Sequence, residues 1–302
     1  MIKFVSMSAF GRMGRFGNQL LQYAYLDMVA RRNEAELRLP SWVGNDLFGL
    51  SALPPVRTRE AFMEASLTCD GQVEPVDDEL VLNKDFKGYA QYHTSYIVEE
   101  KDHIRDLFRP VPAVYAKLSQ AEAKLKSMGP VIGVHLRRGD YGQSIFPIIP
   151  VEWYLKHLRQ MDDKATLFIA TEDDGLVDAF ANEWPVVTAA SLGVALDVAP
   201  MQNYNYEAHD LRNPNGFAGA MDFYPDFFLL SRCDHIVAPN SSFSFAAALL
   251  DTDLRSYWRA SLEAGGFMEV DPWDDYPLLR EKVDDYPHLS GISVETNPYW
   301  SV

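Results

Sequence analysis

The feature that most constrains the fold is a regular alternation of short apolar runs and amphipathic segments in the second half of the sequence. The alternation starts after a Gly-Pro pair at 129–130, and the predicted strands are residues 131–136, 166–170, 186–189 and 235–238. Helices are predicted between them. Repeated strand–helix alternation is typical of a parallel sheet with helices on both faces. The sequence therefore predicts an α/β protein.

A similar unit opens the chain. Residues 2–6 read as a buried strand, a glycine-rich loop follows at 11–17, and a helix is predicted to start near Asn18, a residue type that caps helices. Two such units predict two α/β domains with a cleft between them. Their expected limits are 1–128 and 129–265, and the acidic, aromatic tail 266–302 is expected to pack back on the first domain.

Composition excludes several classes of protein. The chain has 302 residues, enough for about two domains, and its net charge of -16 argues against a nucleic-acid partner or a membrane surface. No apolar run approaches the roughly 18 residues that a transmembrane helix needs, and residues 1–10 lack the apolar core of a signal peptide. The widely separated Cys69 and Cys233 fit a reducing compartment. A cytoplasmic protein without a transmembrane segment is expected.

The first candidate site follows the strand at 131–136 and reads HLRRGD over 135–140. Side chains at the carboxyl end of a parallel strand face the crevice where open α/β sheets bind ligands. Two adjacent arginines there suit a diphosphate, because guanidinium groups match phosphate oxygens and stay charged. The alternative is a strand end whose arginines only pair with Asp140 and nearby carboxylates.

Two further loops contain groups that are suited to ligands. The sequence PNSSFS at 239–244 lies between a predicted strand and a predicted helix, where it can cap the helix or offer backbone N–H groups to an anion. Capping alone explains these residues more simply. The sequence TEDD at 171–174 contains carboxylates that suit Mg²⁺, but it also fits a helix N-terminus, and we favour the second interpretation. No metal or other cofactor is expected.

Three blocks of the sequence resemble a known family. GRFGNQLLQYA at 14–24 resembles the N-terminal signature of the α-1,2-fucosyltransferases, and HLRRGD resembles an element they share with α-1,6-fucosyltransferases and related enzymes. DFFLLSRCDHIVAPNSSFS at 226–244 is similar to their third block in order and spacing. The resemblance extends from about residue 11 to 250.

The resemblance implies two facing Rossmann-like domains, the GT-B arrangement. It also implies an inverting, metal-independent transfer of fucose from GDP-fucose to a glycan, with no cofactor besides the donor. It implies that Arg137 holds the β-phosphate, that His135 and Asp226 contact guanine, and that Arg138 and Asp140 support the loop. The donor phosphates are expected at Asn240, Ser241 and Ser242, and the transfer site is bordered by Gly17, Asn18 and Gln19. Arg137 and Asp140 are the predicted catalytic residues.

Two departures from the family keep other functions open. Residues 245–247 are Phe-Ala-Ala, where many relatives have two tryptophans and a glycine. Animal members of the family begin with a membrane anchor, whereas no transmembrane segment is expected here. The alternatives are the same scaffold with another GDP-sugar or acceptor, a metal-dependent transferase, and a non-catalytic GDP- or glycan-binding relative. For a general base, the chemistry of the residues suggests Asp140, Glu172 and Asp173.

Overall fold

The protein was analysed as a computed structural model that describes residues 2–56, 60–65, 71–138, 141–142, 146–161, 164–194 and 223–289. These residues fall into two compact units. The first unit contains the described residues up to Tyr115 together with Trp273–Pro277. The second unit contains the described residues from Ala116 onward, apart from that segment. The α/β class is confirmed, while the facing arrangement and the domain limits stay predictions.

The first unit is built around a parallel sheet with the strand order β2-β1-β4-β3. The strands are β1 (Phe4–Ser6), β2 (Glu36–Arg38), β3 (Ala61–Met63) and β4 (Asp85–Lys87). Its helices are α1 (Phe16–Arg32), α2 (Val43–Phe48), α3 (Asp78–Val81) and α4 (Lys101–Leu107), and α5 (Pro112–Lys126) follows them. Most of α1 is buried, which explains why it is apolar on nearly every side.

The second unit is built around a six-stranded sheet with the order β10-β9-β8-β5-β6-β7, in which only β10 is antiparallel to its neighbour among the described strands. The strands are β5 (Val131–Leu136), β6 (Thr166–Thr171), β7 (Val186–Val187), β8 (His235–Ala238), β9 (Ser256–Ser261) and β10 (Gly266–Val270). The helices are α6 (Val151–Leu158), α7 (Asp178–Ala181), α8 (Phe223–Leu230) and α9 (Ser242–Leu250). Strand β5 is buried along its whole length, as a central parallel strand should be.

Two local predictions were wrong. Helix α1 begins at Phe16 rather than near Asn18, and Arg15 is its N-cap residue. The Asn18 side chain is instead the acceptor of a hydrogen bond from Gln91, with 2.5 Å between Nε2 and Oδ1. Strand β7 ends at Val187, two residues before the predicted end.

In the part of the chain that the structure describes, no helix is both long enough and apolar enough to cross a membrane.

Candidate active site

The two phosphate-binding candidates of the second unit lie next to each other because their strands are neighbours. Strand β5 leads into residues 135–138 and strand β8 leads into residues 239–242, and β5 and β8 pair in parallel, with Val134 opposite Val237. The carboxyl ends of both strands therefore meet at the same edge of the sheet. This edge is where open α/β sheets bind ligands.

Arg137 already has an acidic partner at this edge. Its guanidinium forms an ion pair with Glu172, and its side chain is only 17% exposed. The same carboxylate accepts a hydrogen bond from the backbone N–H of Arg138 at 3.2 Å. Glu172 follows β6, whose Thr171 pairs with Leu136 of β5. Pairing with a nearby carboxylate, one of the expected alternatives, is thus seen with Glu172, while Asp140 lies outside the described residues.

Tyr141 connects the two loops, and the sequence analysis missed it. Its hydroxyl donates a buried hydrogen bond to the backbone carbonyl of Asn240 at 2.8 Å. Its ring lies below the guanidinium of Arg137, with 5.9 Å from Cζ to the ring centroid, within the usual range of a cation–π contact. A tyrosine directly after an arginine-rich strand end was the available signal.

Asn240 is placed at the predicted site, but its side chain is used within the protein. Its Nδ2 donates to the carbonyl of Leu279 at 2.7 Å, and its Oδ1 accepts from the N–H of Leu279 at 2.8 Å. This pair fixes the segment after residue 277 against the loop after β8. These bonds fix the orientation of the Asn240 carboxamide.

The two serines of the second loop begin helix α9. Ser241 is the N-cap residue, and its Oγ accepts from the N–H of Phe243 at 3.3 Å. Ser242, the first helical residue, is half-buried. The first N–H groups of a helix lack partners within the helix, and together with the helix dipole they favour an anion. Capping and anion binding are thus compatible at this helix.

His135 is buried and neutral. Burial, followed by the charges of Arg137 and Arg138, lowers the pKa of its imidazole to about 3. Its ring packs on Phe243 with centroids 5.1 Å apart, and its Nδ1 has no hydrogen-bond partner among the described residues. A neutral imidazole with an available nitrogen can bind a base edge but cannot supply positive charge to a phosphate.

Asp226 lies in the first turn of α8 and is the most perturbed carboxyl group in this region. Burial is the largest cause, and repulsion by Glu172 and then Asp174 adds to it, so the pKa of Asp226 rises to about 7. A carboxyl group with such a pKa changes its charge near neutral pH. It is thus suited to bind a group that donates hydrogen bonds.

The acidic sequence at 171–174 supplies side-chain acceptors for backbone N–H groups. Asp173 caps a short 3₁₀ turn by accepting from the N–H of Gly175 at 3.0 Å, and Thr171 accepts from the N–H of Asp173 at 3.1 Å. Among the described residues, no group of three or more His, Cys, Asp or Glu side chains is arranged to hold a metal ion. These contacts agree with the helix-terminus interpretation.

The departure at residues 245–247 lies in the core of the second unit. Phe245, Ala246 and Ala247 are all buried in α9. Phe245 packs edge-on against Tyr257 with centroids 5.8 Å apart, and the guanidinium of Arg259 lies 5.7 Å from its ring centre. Residues 245–247 therefore contribute to the core packing of α9.

In the first unit, the glycine-rich loop is held by a residue that the sequence analysis did not select. Gln22 is fully buried in α1, and its Nε2 donates to the carbonyls of Met13 and Gly88, each at 2.9 Å. Gly14 has a φ of +81°, and a Cβ there would lie 2.4 Å from the Asn18 amide. A side chain at position 14 is therefore excluded.

The predicted residues of this loop occupy the first turn of α1. Gly17 and Gln19 are buried, and the Oε1 of Gln19 has no hydrogen-bond partner among the described residues. Asn18 is held by Gln91. The three residues are thus adjacent at one helix end, and their role stays a prediction.

Comparison with known proteins identifies the fold. No protein-family model matches the sequence. The structure of fucosyltransferase NodZ from Bradyrhizobium aligns with a TM-score of 0.51 and 15% identity over 85% of this chain and 95% of that chain. The NodZ α-1,6-fucosyltransferase co-crystallised with GDP gives 0.50 and 16% identity over 85% and 95%. A mutant of Arabidopsis thaliana FUT1 in complex with GDP gives 0.53 and 12% identity over 91% and 75%. At these identities the likeness shows that the chain has the fold of these proteins.

Proposed function

We propose that the protein is an inverting glycosyltransferase that moves L-fucose from GDP-β-L-fucose to a glycan hydroxyl. The observation that carries the proposal is the placement of Arg137 beside the N-terminus of α9, joined through Tyr141, at the carboxyl edge of the second sheet. The shared fold with NodZ, a fucosyltransferase, supports the choice of donor. The acceptor position proposed is the 2-OH of galactose, which gives an α-1,2 linkage.

In the proposed reaction, the acceptor oxygen attacks C1 of fucose from the face opposite GDP. The bond between C1 and the β-phosphate oxygen breaks, and that oxygen keeps the electron pair, so negative charge develops on the leaving GDP. Arg137 and the N–H groups at the start of α9 stabilise this charge, because each presents donors that need little rearrangement. Glu172, the present partner of Arg137, must then give way to the phosphate.

The acceptor proton leaves with inversion at C1, and the described carboxylates offer few free acceptors for it. Asp173 caps a turn, and Glu172, once the phosphate has displaced it from Arg137, still accepts from the N–H of Arg138. Asp140 lies outside the described residues. We therefore propose a transfer driven mainly by departure of the stabilised GDP, in which the acceptor proton passes to solvent water and no metal ion takes part.

The donor assignment is tested by calorimetry with GDP, GDP-fucose, GDP-mannose and UDP-glucose, with and without EDTA. GDP and GDP-fucose should bind, EDTA should change neither affinity nor turnover, and Arg137→Ala should lower kcat by roughly 10²–10³. Arg159→Ala is the matched control, since it removes another arginine–glutamate pair from the surface of the same unit. Absence of binding by every guanine nucleotide would refute the proposal.

The acceptor position is tested with a galactose-terminated oligosaccharide and its 2-deoxy analogue. Product should form only from the first, because the analogue lacks the attacking oxygen. Equal product from both would move the linkage to another hydroxyl. GDP binding without any consumption of GDP-fucose would identify a non-catalytic binding protein.

A further inference from the structure

Tyr141 makes three separate contacts at the candidate donor site. Its hydroxyl donates to the carbonyl of Asn240 at 2.8 Å, its ring lies 5.9 Å from Cζ of Arg137, and its backbone N–H donates to the carbonyl of Arg138 at 2.8 Å. Two of these contacts are made to the loop after β5 and one to the loop after β8. One residue therefore fixes both loops.

The hydrogen bond from Tyr141 to Asn240 lies next to the N-terminus of α9, so a shift of this bond would move the start of the helix. The carbonyl of Asn240 belongs to the peptide that leads directly into Ser241, the N-cap of α9. The Asn240 side chain is itself held by both backbone groups of Leu279. The loop after β8 is thus hydrogen-bonded to the segment after residue 277, and Tyr141 joins the more exposed arginine loop to it.

We propose that Tyr141 is a positioning residue that sets the guanidinium of Arg137 at a fixed distance from the N-terminus of α9, so that one β-phosphate meets both groups. This inference rests on the proposed function. Tyr141 acts through Arg137 and does not itself touch the donor. The ligand chemistry that depends on it is the second phosphate of a guanosine diphosphate.

The test compares GDP with GMP, which lacks the β-phosphate. Tyr141→Phe keeps the ring and removes only the hydroxyl, so it should weaken GDP binding about tenfold and GMP binding by less than about twofold. The GDP-to-GMP affinity ratio should therefore fall by about fivefold or more. A general loss of protein stability would weaken the binding of both ligands equally and leave the GDP-to-GMP affinity ratio unchanged.

Tyr154→Phe is the matched control. Tyr154 also donates a buried hydrogen bond to a backbone carbonyl of this region, that of His135 at 3.1 Å, but the ring that lies against the guanidinium of Arg137 is that of Tyr141. Its removal should leave the affinity ratio as in the wild type. The ratio falling as far in Tyr154→Phe as in Tyr141→Phe would overturn the inference.

A double-mutant cycle with Arg137→Lys gives a second measurement. Because Tyr141 acts through Arg137, the two changes together should weaken GDP binding by less than the product of their separate effects. Fully independent effects would overturn the positioning role. A wild-type protein that binds no GDP overturns the proposed function and this inference with it, whereas an unchanged ratio beside normal GDP binding overturns the inference alone.

Discussion

The charge at the candidate donor site is concentrated in a few side chains. Arg137 and Arg138 supply two positive charges, and Glu172, Asp174 and Asp226 supply acidic groups around them. In a protein with a net charge of -16, these two arginines supply the positive charge that a diphosphate meets at this edge. The ion pair with Glu172 limits the cost of holding the half-buried guanidinium of Arg137.

Asp226 should make GDP binding depend on pH. If Asp226 accepts hydrogen bonds from the N–H groups of guanine, as the family resemblance implies, only its ionised form binds well. With a pKa of about 7, the GDP affinity should fall about tenfold for each pH unit below 7. Calorimetry from pH 5.5 to 8.5 measures the slope, and Asp226→Asn should flatten it. If the GDP affinity of the wild type does not change with pH, Asp226 does not bind the ligand.

The same carboxyl group should also change stability in the opposite sense. Its pKa is raised in the folded state, so the folded protein binds more protons than the unfolded chain between about pH 4 and 7, and the contribution of Asp226 to folding falls as pH rises through that range. Asp226→Asn should therefore unfold at a higher temperature than the wild type at pH 8, and at a similar temperature at pH 4. The unfolding temperatures of the two proteins are compared without ligand.

At the scale of residues, sequence reasoning identified the donors but not their partners. His135, Arg137 and Arg138 could be selected because they follow an apolar run directly. Glu172 could not be assigned to Arg137, since their contact depends on the register that places Leu136 opposite Thr171. Tyr141 was missed for the same reason, as its partner Asn240 is 99 residues away in sequence.

At the scale of elements, helix α1 supports the glycine-rich loop through the side chain of Gln22. Gln22→Leu keeps the size of the side chain but leaves the carbonyls of Met13 and Gly88 without their donor. Each unpaired buried carbonyl costs about 1–3 kcal/mol, so the free energy of unfolding should fall by roughly 2–4 kcal/mol. Chemical denaturation measures this change.

Gln120→Leu is the control for that experiment. Gln120 lies on an exposed position of α5, where the same substitution should change the free energy of unfolding by less than about 0.5 kcal/mol. Equal effects at the two positions would mean that the hydrogen bonds of Gln22 add little to the stability of the loop.

The elements that sequence analysis found and missed differ in length and burial. Strands β5 and β8 were predicted with their observed ends, since both are nearly continuous apolar runs. Strands β2, β3 and β4 have three residues each, too few to show a periodicity, and they were not predicted. The β9–β10 hairpin was missed because its outer strand is partly exposed and weakly apolar.

At the scale of the whole molecule, the first unit is completed by a segment from near the far end of the sequence. Trp273 is buried and has Lys101 Nζ and Arg105 Cζ at 5.4 and 5.6 Å from its ring centre. Asp275 exchanges hydrogen bonds with Thr94, and Tyr276 donates to Glu74 at 2.6 Å. The segment is thus part of the first unit by packing and by hydrogen bonding.

Removing this anchor should weaken the first unit. Trp273→Ala deletes a large buried ring and should lower the free energy of unfolding by about 3–5 kcal/mol. Hydrogen exchange should speed up first at the amides of Thr94–Tyr96, because Thr94 is hydrogen-bonded to Asp275 of this segment. Tyr115→Ala, at a position 44% exposed, should change neither quantity appreciably. If the exchange rates near Thr94 are unchanged in Trp273→Ala, the segment contributes little to the stability of the first unit.

The origin of Trp273–Pro277 also bears on how the chain is made. A ribosome releases the sheet and helices of the first unit early, but the residues that seal the surface around Thr94 and Lys101 emerge only after the strands of the second unit have been synthesised. During translation the surface of the first unit around Thr94 and Lys101 is therefore uncovered for a time. A nascent chain stalled before residue 273 would carry that surface exposed to chaperones.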